Sequence, residues 1–493
     1  MSKLPEGWTE CLLEDLLASL DDGKILHQGW SPQCEGVPAP NGEWGVLKTT
    51  AVQDGYFLEF ENKKLPMHLQ SKPELEVKAG DLLMTCAGPR NRCGVICHVL
   101  NVREKLIFSG KIYRFRPDPK FVDPKFLSYL LRTSELKEKI DGIKTGISDS
   151  GMNMTRERFF SLNVRLAPVN EQARIAHKLD ELLAQVVTLK SRLDAIPLML
   201  KRFRQSVLAA AVSGHLTEDW DRVHSASPDI VLNTKAHGVR HDELESAEQI
   251  LGKPLPEFWP KYALEQLVDP IRGIPYGIVQ TGSAVEQGVP TVRCGDVKKL
   301  FVDTSNLKVV SIEIEREYQR TRLKGGEVLL AIRGSVGNVS VAPQSLRGCN
   351  ISREVAMIPT LNSVVPFYLA CLLQSPIGQQ LLVGKVRGVA QKGINLADVR
   401  RLIVALPPFE EQIEIVRRVE QLFAFADQLE AKVASAKARV DLLAQSILAK
   451  AFCGELVPQD PNDEPASVLL ERIRTQRAGQ PKVRRGRKSV EVS

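Results

Sequence analysis

The stretch "QSVLAAAVSGHLT" occupies residues 205–217, and "QSILAKAFCGELV" occupies residues 445–457, 240 residues further on. At that constant offset the likeness extends backwards without a gap: residues 166–217 and 406–457 share 15 identities in 52 positions. A segment of this length matched in one register is a duplication. Each copy opens with a proline and a Glu-Gln pair, "LAPVNEQARIAHKLDELLAQV" and "LPPFEEQIEIVRRVEQLFAFA". Proline and acidic side chains suit the first turn of a helix, where amides lack partners and the dipole favours negative charge.

Both copies carry apolar residues at alternating spacings of four and three. In the first these are Ile175, Leu179, Leu182, Val186, Leu189, Leu193, Ile196, Leu200, Phe203 and Val207; in the second, Ile415, Val419, Leu422, Ala426, Leu429, Val433, Ala436, Val440, Leu443 and Ile447. A heptad seam this long needs a partner helix. One copy alone would read as an amphipathic helix lying on a domain. Two matched copies make each the simplest partner of the other, with Leu179, Leu182, Val186, Leu189 and Leu193 set against Val419, Leu422, Leu429 and Val433. Residues 175–207 would span roughly 48 Å as a helix. Pro197 is expected to kink the first copy, since an interior proline removes a hydrogen bond; Lys437 holds the matching place in the second.

The remaining sequence repeats more weakly. "LPEGW" at residues 4–8 returns as "LPEFW" at 255–259, "KAGDLLMTCAG" from Lys78 as "KGGEVLLAIRG" from Lys324, "DPKFLSYLL" from Asp123 as "VPFYLACLL" from Val365, and "GMNM" from Gly151 as "GINL" from Gly393. The chain therefore divides into a first head (1–165), a spacer helix (166–217), a linker (218–254), a second head (255–405), a second spacer helix (406–457) and a basic, partly disordered tail (458–493). Short β-rich runs such as "LIFSGKIYRF" and "VSVAP", with a helix expected from Pro124 to Ile140, make each head mixed α/β. The fold class is α/β with a pseudo-twofold repeat.

Composition narrows the function. Of the net charge of +7, six units lie beyond residue 470, where eight Lys and Arg residues face only Glu471 and Glu491. The body is almost neutral, so charge alone does not mark a nucleic-acid binder. Nine scattered cysteines suggest reduced thiols rather than a disulfide framework. The opening "MSKLPEGWTECLLEDLL" has no signal-like apolar run, and the expectation is a cytoplasmic protein without a membrane span.

The paired P-x-x-E-Q openings, "KRFRQSVLAAAVSGHLTEDW", "VRRVEQLFAFADQLEAKV" and "QSILAKAFCGEL" resemble the specificity subunit of type I restriction-modification systems, in its enterobacterial IA group. The resemblance covers nearly the whole chain and is weakest in the heads. It implies two target-recognition domains, each reading half of a bipartite, asymmetric site on double-stranded DNA. It implies that the spacer helices form an antiparallel intramolecular coiled coil that fixes the gap. It also implies a scaffold for two methylation subunits and two restriction subunits in host defence, with S-adenosylmethionine, ATP and Mg on those partners and no cofactor on this chain. The duplicated phrase would then offer similar docking surfaces to two identical partners.

The residues themselves carry no catalytic signature. No Asn-Pro-Pro or Asp-Pro-Pro followed by an aromatic residue occurs, and "LPPF" from Leu406 lacks the first polar residue. No phosphate loop occurs either, because every Gly-Lys pair is followed by Ile, Pro or Val. Cys86, Cys93, Cys97 and His98 lack the paired knuckles of a zinc site. Pro117-Asp118 with Glu135 and Lys137 only imitates a nuclease pattern, and His237 and His241 lack a base glutamate between them. Catalytic and metal-binding residues are accordingly expected to be absent.

DNA readout would fall to glycine-flanked loops whose side chains suit major-groove edges. These offer Arg90, Asn91, Arg92, Lys144 and Asn153 in the first head, and Arg333, Ser335, Asn338, Lys385, Arg387, Gln391 and Lys392 in the second. A solvated loop charge is an equally ordinary role for any one of them. A stand-alone two-headed DNA-binding regulator would use the same architecture, whereas a self-sufficient methyltransferase-nuclease would need motifs that are missing.

Overall fold

The computed structural model describes residues 4–20, 22–220, 232–251, 254–383, 386–387 and 393–478. It divides into two compact units, residues 1–193 with 435–493, and residues 194–434.

In the first unit, strand Thr9–Leu12 pairs antiparallel with strand Asn163–Leu166, so the first and last strands of the head close on one another. Between them a four-stranded sheet runs in the order His27–Gln28, Ile112–Phe115, Leu82–Thr85, Ile96–His98, and a three-stranded sheet in the order Asn62–Lys64, Gly45–Leu47, Leu106–Phe108. The repeated "LLMT" is buried along its whole length, as a strand covered on both faces requires. The helix expected over 124–140 is two helices, Pro124–Leu130 and Ser134–Gly142, because Thr133 accepts from Leu136 N (3.3 Å) and starts the chain afresh.

The second unit repeats this plan. Strand Lys261–Ala263 pairs with Ile403–Ala405; Val328–Ala331 lies between Val339–Val341 and Val355–Ile358; Val289–Val292 lies between Lys308–Val310 and Asn350–Ile351. Helices Pro366–Gln374 and Pro376–Val383 follow. A shared close approach underlies both heads. A Cβ on Gly29 would stand 2.1 Å from the Phe108 carbonyl oxygen, and one on Gly277 would stand 1.8 Å from that of Ile351. Only glycine lets the backbone come so near the strand.

The spacers are helices Val169–Ser213 and Phe409–Phe452, 45 and 44 residues long. Pro197 is interior to the first, which continues past it. Within the first unit, Ile175 and Leu179 share a core with Leu448 and Phe452, and Lys190 pairs with Asp441 at 2.7 Å. Within the second, Val207 and Ala211 share a core with Ile415 and Val419; Arg204 pairs with Asp427 (2.5 Å) and Glu430 (3.0 Å), and Thr217 reaches Glu411. In each unit partner numbers fall as the first helix advances, so the pairing is antiparallel.

Along the seam Leu179, Val186 and Val419 are buried, and Leu182, Leu193, Leu422, Leu429 and Val433 are half-buried. Leu189 departs from the expected seam at 45 % exposure. Beside it the helices are joined by the exposed Lys190–Asp441 ion pair rather than by apolar packing.

The segments read as linker and tail both contain packed helices. His241–Leu251 buries Ala247 and Leu251 in the second unit. Ala466–Ala478 buries Ala466, Leu469, Leu470 and Ile473 in the first, and Arg474 pairs with Asp15 at 3.1 Å. The basic run from Glu471 therefore starts inside a helix, whose three- and four-residue apolar spacing supplies the anchoring face; residues 479–493 lie outside the described residues. Among the described residues no helix is long and apolar enough to cross a membrane.

Candidate nucleic-acid interface

Each head is clamped to the helix that follows it. Gln172 is fully buried; its amide donates to the carbonyls of Phe121 (3.2 Å) and Ala167 (2.8 Å) and accepts from Asp123 N (3.0 Å). Gln412 does the same with Ser363 (3.2 Å), Pro407 (2.9 Å) and Val365 N (2.8 Å). The Glu-Gln pair is thus a fixture that fastens the helix start to the turn before Pro124–Leu130 in the first head and before Pro366–Gln374 in the second. Its glutamate faces the tryptophan of the other repeated phrase. Trp259 donates to Glu411 at 3.1 Å, and Trp8 lies against Glu171, whose carboxyl is pushed up by burial and drawn back by Trp8 and Arg174.

With the frame fixed, the first head gathers four of its five expected loop residues, all but Asn153, at an open cleft of about 900 Å³. Arg90, Asn91, Arg92 and Lys144 all line it, with Asp141 and Asp149. Arg90 donates to Asp149 and Asp141, each at 2.9 Å, which raises its already high pKa. Hydrogen bonding from Lys144, with Arg90 nearby, holds the Asp141 carboxyl below its usual range.

Two of the expected readers are committed elsewhere. Arg92 donates to Thr49 O (2.7 Å), Val52 O (2.8 Å) and Gln53 (3.2 Å), so its guanidinium braces a neighbouring turn. Lys144 is 7 % exposed and donates to Arg90 O (2.9 Å) and Asp141 (2.7 Å), which makes it a strut of the cleft wall. Asn91 and Asn153 have exposed side chains.

In the second head Arg333 and Ser335 are exposed, and the Arg333 backbone bridges Gly393. Asn338, like Arg92, makes an internal contact: its amide donates to Val297 O at 3.0 Å. Lys385, Gln391 and Lys392 lie outside the described residues, and Arg387 is placed by its backbone alone, in a strand paired with Gly393. The acidic residues Asp81 and Glu327 were not singled out by sequence, yet each closes the turn before its head's central strand. Lys78 N donates to Asp81 at 2.7 Å and Lys324 N to Glu327 at 2.8 Å, and Arg116 and Arg272 respectively pair with them. Their equal places in "AGD" and "GGE" were the available signal.

The residues that imitate other chemistry are separated by their contacts. Lys137 pairs with Asp54, and Glu135 with Lys139 and Arg165. Helix His241–Leu251 begins at His241, leaving His237 before it. Burial pushes the Cys86 and Cys97 thiols up to about 12. Among the described residues no three His, Cys, Asp or Glu side chains form a group that could hold a metal ion.

The family described as "Type I restriction modification DNA specificity domain" matches residues 5–197 and 285–436. The chain is 33% identical over 399 residues to the type I restriction enzyme EcoKI specificity subunit of Escherichia coli (strain K12), covering 78% of this chain and 75% of that one. The chain belongs to the type I restriction-modification specificity-subunit family. This specificity subunit is also 41% identical over 323 residues to the EcoBI specificity subunit of Escherichia coli, and there the match spans 64% of each chain. Two solved structures share its fold. A chain from a study of "complex assembly" and "conformational transition of the type I R-M system" gives a TM-score of 0.57 at 21% identity, covering 92% of the specificity subunit and 99% of that chain. The HsdS subunit from Thermoanaerobacter tengcongensis gives 0.52 at 20%, covering 92% and 98%. As a member of this family the specificity subunit recognises DNA and is not itself the catalyst.

Proposed function

We propose that the specificity subunit reads a bipartite, asymmetric target on double-stranded DNA, one half with each head, and that the antiparallel helices set the unread gap. It carries two adenine-methylating subunits and two motor-nuclease subunits in the cytoplasm. S-adenosylmethionine, ATP and Mg belong to those partners, and this chain binds none of them. What supports this reading is the pairing of a common frame with unlike loops: both heads repeat the same strands and the same glutamine clamp, while "GPRNRCG" in one stands where "GSVGN" stands in the other.

The test lengthens the helices. One heptad inserted after Leu189 and another after Leu429 keeps the seam in phase and adds about 10 Å, or roughly 3 base pairs of duplex. Methylated adenines mapped in a genome carrying the mutant should show unchanged half-sites with a longer gap and weaker modification, because the added base pairs also rotate one half-site about the duplex. An unchanged gap in an active mutant would overturn the reading. Failure of a methylation subunit to copurify would favour a stand-alone regulator instead.

A further inference from the structure

Beside the cleft of the first head stands a short loop whose outermost residue is apolar. Ile147 is fully exposed, at 109 % of its reference area, in the otherwise small or polar run "KTGISDSG". The loop is built rather than loose. Thr145 and Asn153 exchange backbone hydrogen bonds of 2.8 and 2.7 Å across its base, and Gly151 N donates to Ser148 O at 3.0 Å. Arg90 holds the far side, through its backbone N to Asp149 O (2.7 Å) and its Nε to the Asp149 carboxylate (2.9 Å). Gly146 closes the two arms, since a Cβ there would lie 2.7 Å from Gly151 O. An isoleucine held out in water on a braced tip gains nothing from its own fold.

We propose that Ile147 is a specificity-determining residue that packs on the C5 methyl group of a thymine in the major groove. Two exposed asparagines of the same head, Asn153 at the base of this loop and Asn91 next to Arg90, suit hydrogen-bonding edges. The thymine methyl is the one apolar group that base edges present there, so it is the group an apolar tip can select. The inference rests on the reading that this head binds DNA with this cleft.

The experiment measures binding of the complete subunit, with its copurified partners, to duplexes carrying the target defined by methylation mapping. Each thymine is replaced in turn by deoxyuridine, which differs only by the methyl group. At one position the wild type should lose on the order of three- to tenfold in affinity, the worth of one apolar contact. Ile147→Ala should lose a similar factor on the thymine duplex and be indifferent to deoxyuridine at that position. The residue lies outside every core, so thermal unfolding should not change. Equal losses by the variant on all duplexes, or no loss at all, would overturn the proposal. So would weaker copurification of a partner, which would make Ile147 a protein contact. A wild type indifferent to base changes throughout that half-site would overturn the reading of the head itself, and the proposal with it.

Discussion

The indole N–H of Trp259 donates to a carboxylate oxygen of Glu411 at 3.1 Å, joining the phrase that opens the second head to the first turn of the second long helix. Thr217 donates to the other oxygen at 2.8 Å, from the end of the duplicated phrase that closes the first helix. Three repeated motifs thus meet at one carboxylate. Trp259→Phe keeps the ring and removes the donor. It should cost about 1–2 kcal/mol of unfolding free energy, measured by denaturant titration, because a buried charge loses one partner.

In the first unit the corresponding glutamate is less well served. Val457 stands where Thr217 stands in the other copy, and one Glu171 oxygen has no hydrogen-bond partner. Burial raises the Glu171 pKa above its ordinary value. For an acid shifted upwards, the cost of burying the ionised form is present above the folded pKa and disappears below the unfolded one. Glu171→Gln should therefore raise the melting temperature at pH 7, with the gain fading by about pH 4. A loss of stability at pH 7 would show that the charge is better paired than its contacts indicate.

Gln172 and Gln412 are fully buried, and each satisfies two carbonyls and one amide of the backbone. Substituting either with leucine should cost about 2–4 kcal/mol, since buried backbone groups lose their partners. Hydrogen exchange should speed up around Asp123 in one variant and Val365 in the other.

Arg92 and Arg333 occupy similar loops and separate cleanly. Arg92→Ala removes three internal hydrogen bonds and should cost about 1–3 kcal/mol of stability. Arg333→Ala, at an exposed position, should leave stability unchanged and cost about 1–3 kcal/mol in binding at one base pair if it reads guanine. Competition binding with single-base variants of the target checks the second, and calorimetry the first.

Acid should weaken the ion pairs that line the first head's cleft. Burial opposes ionisation of Asp54, but Lys137 and Arg132 prevail and hold its pKa below the ordinary value; Lys144 leads in doing so for Asp141. A carboxylate depressed in the folded state contributes stability above its unfolded pKa, and loses it as pH falls through the folded pKa. Asp54→Asn should be destabilised relative to wild type at pH 7, with the difference shrinking below about pH 4.

The helices were legible because one physical requirement, an apolar residue at every third and fourth place, is written along each of them. The matched heads were legible only in fragments such as "GDLLMT" and "GEVLLA", where burial on both faces restricts the choice of residue. The clamp was half visible. The Glu-Gln pair reads as a helix opening, but the glutamine's partners are backbone groups, which leave no trace in side-chain identity. In the cleft, Arg92 and Lys144 donate to internal carbonyls, a use of the same donors that spacing cannot distinguish from base reading. The helix Ala466–Ala478 is masked in the sequence by its charge, because its apolar face is only Ala466, Leu469, Leu470 and Ile473 among basic neighbours.

Strand Thr9–Leu12 lies against Asn163–Leu166, and Lys261–Ala263 against Ile403–Ala405, so each head leaves its frame and returns to it at a single doorway. Whatever lies between those strands is bounded by two neighbouring cut points, but it carries the clamp's own partners, Phe121 and Asp123 in one head and Ser363 and Val365 in the other, so a replacement would have to bring backbone groups to the same two places. Both doorways are built alike, each from one antiparallel pair of short strands.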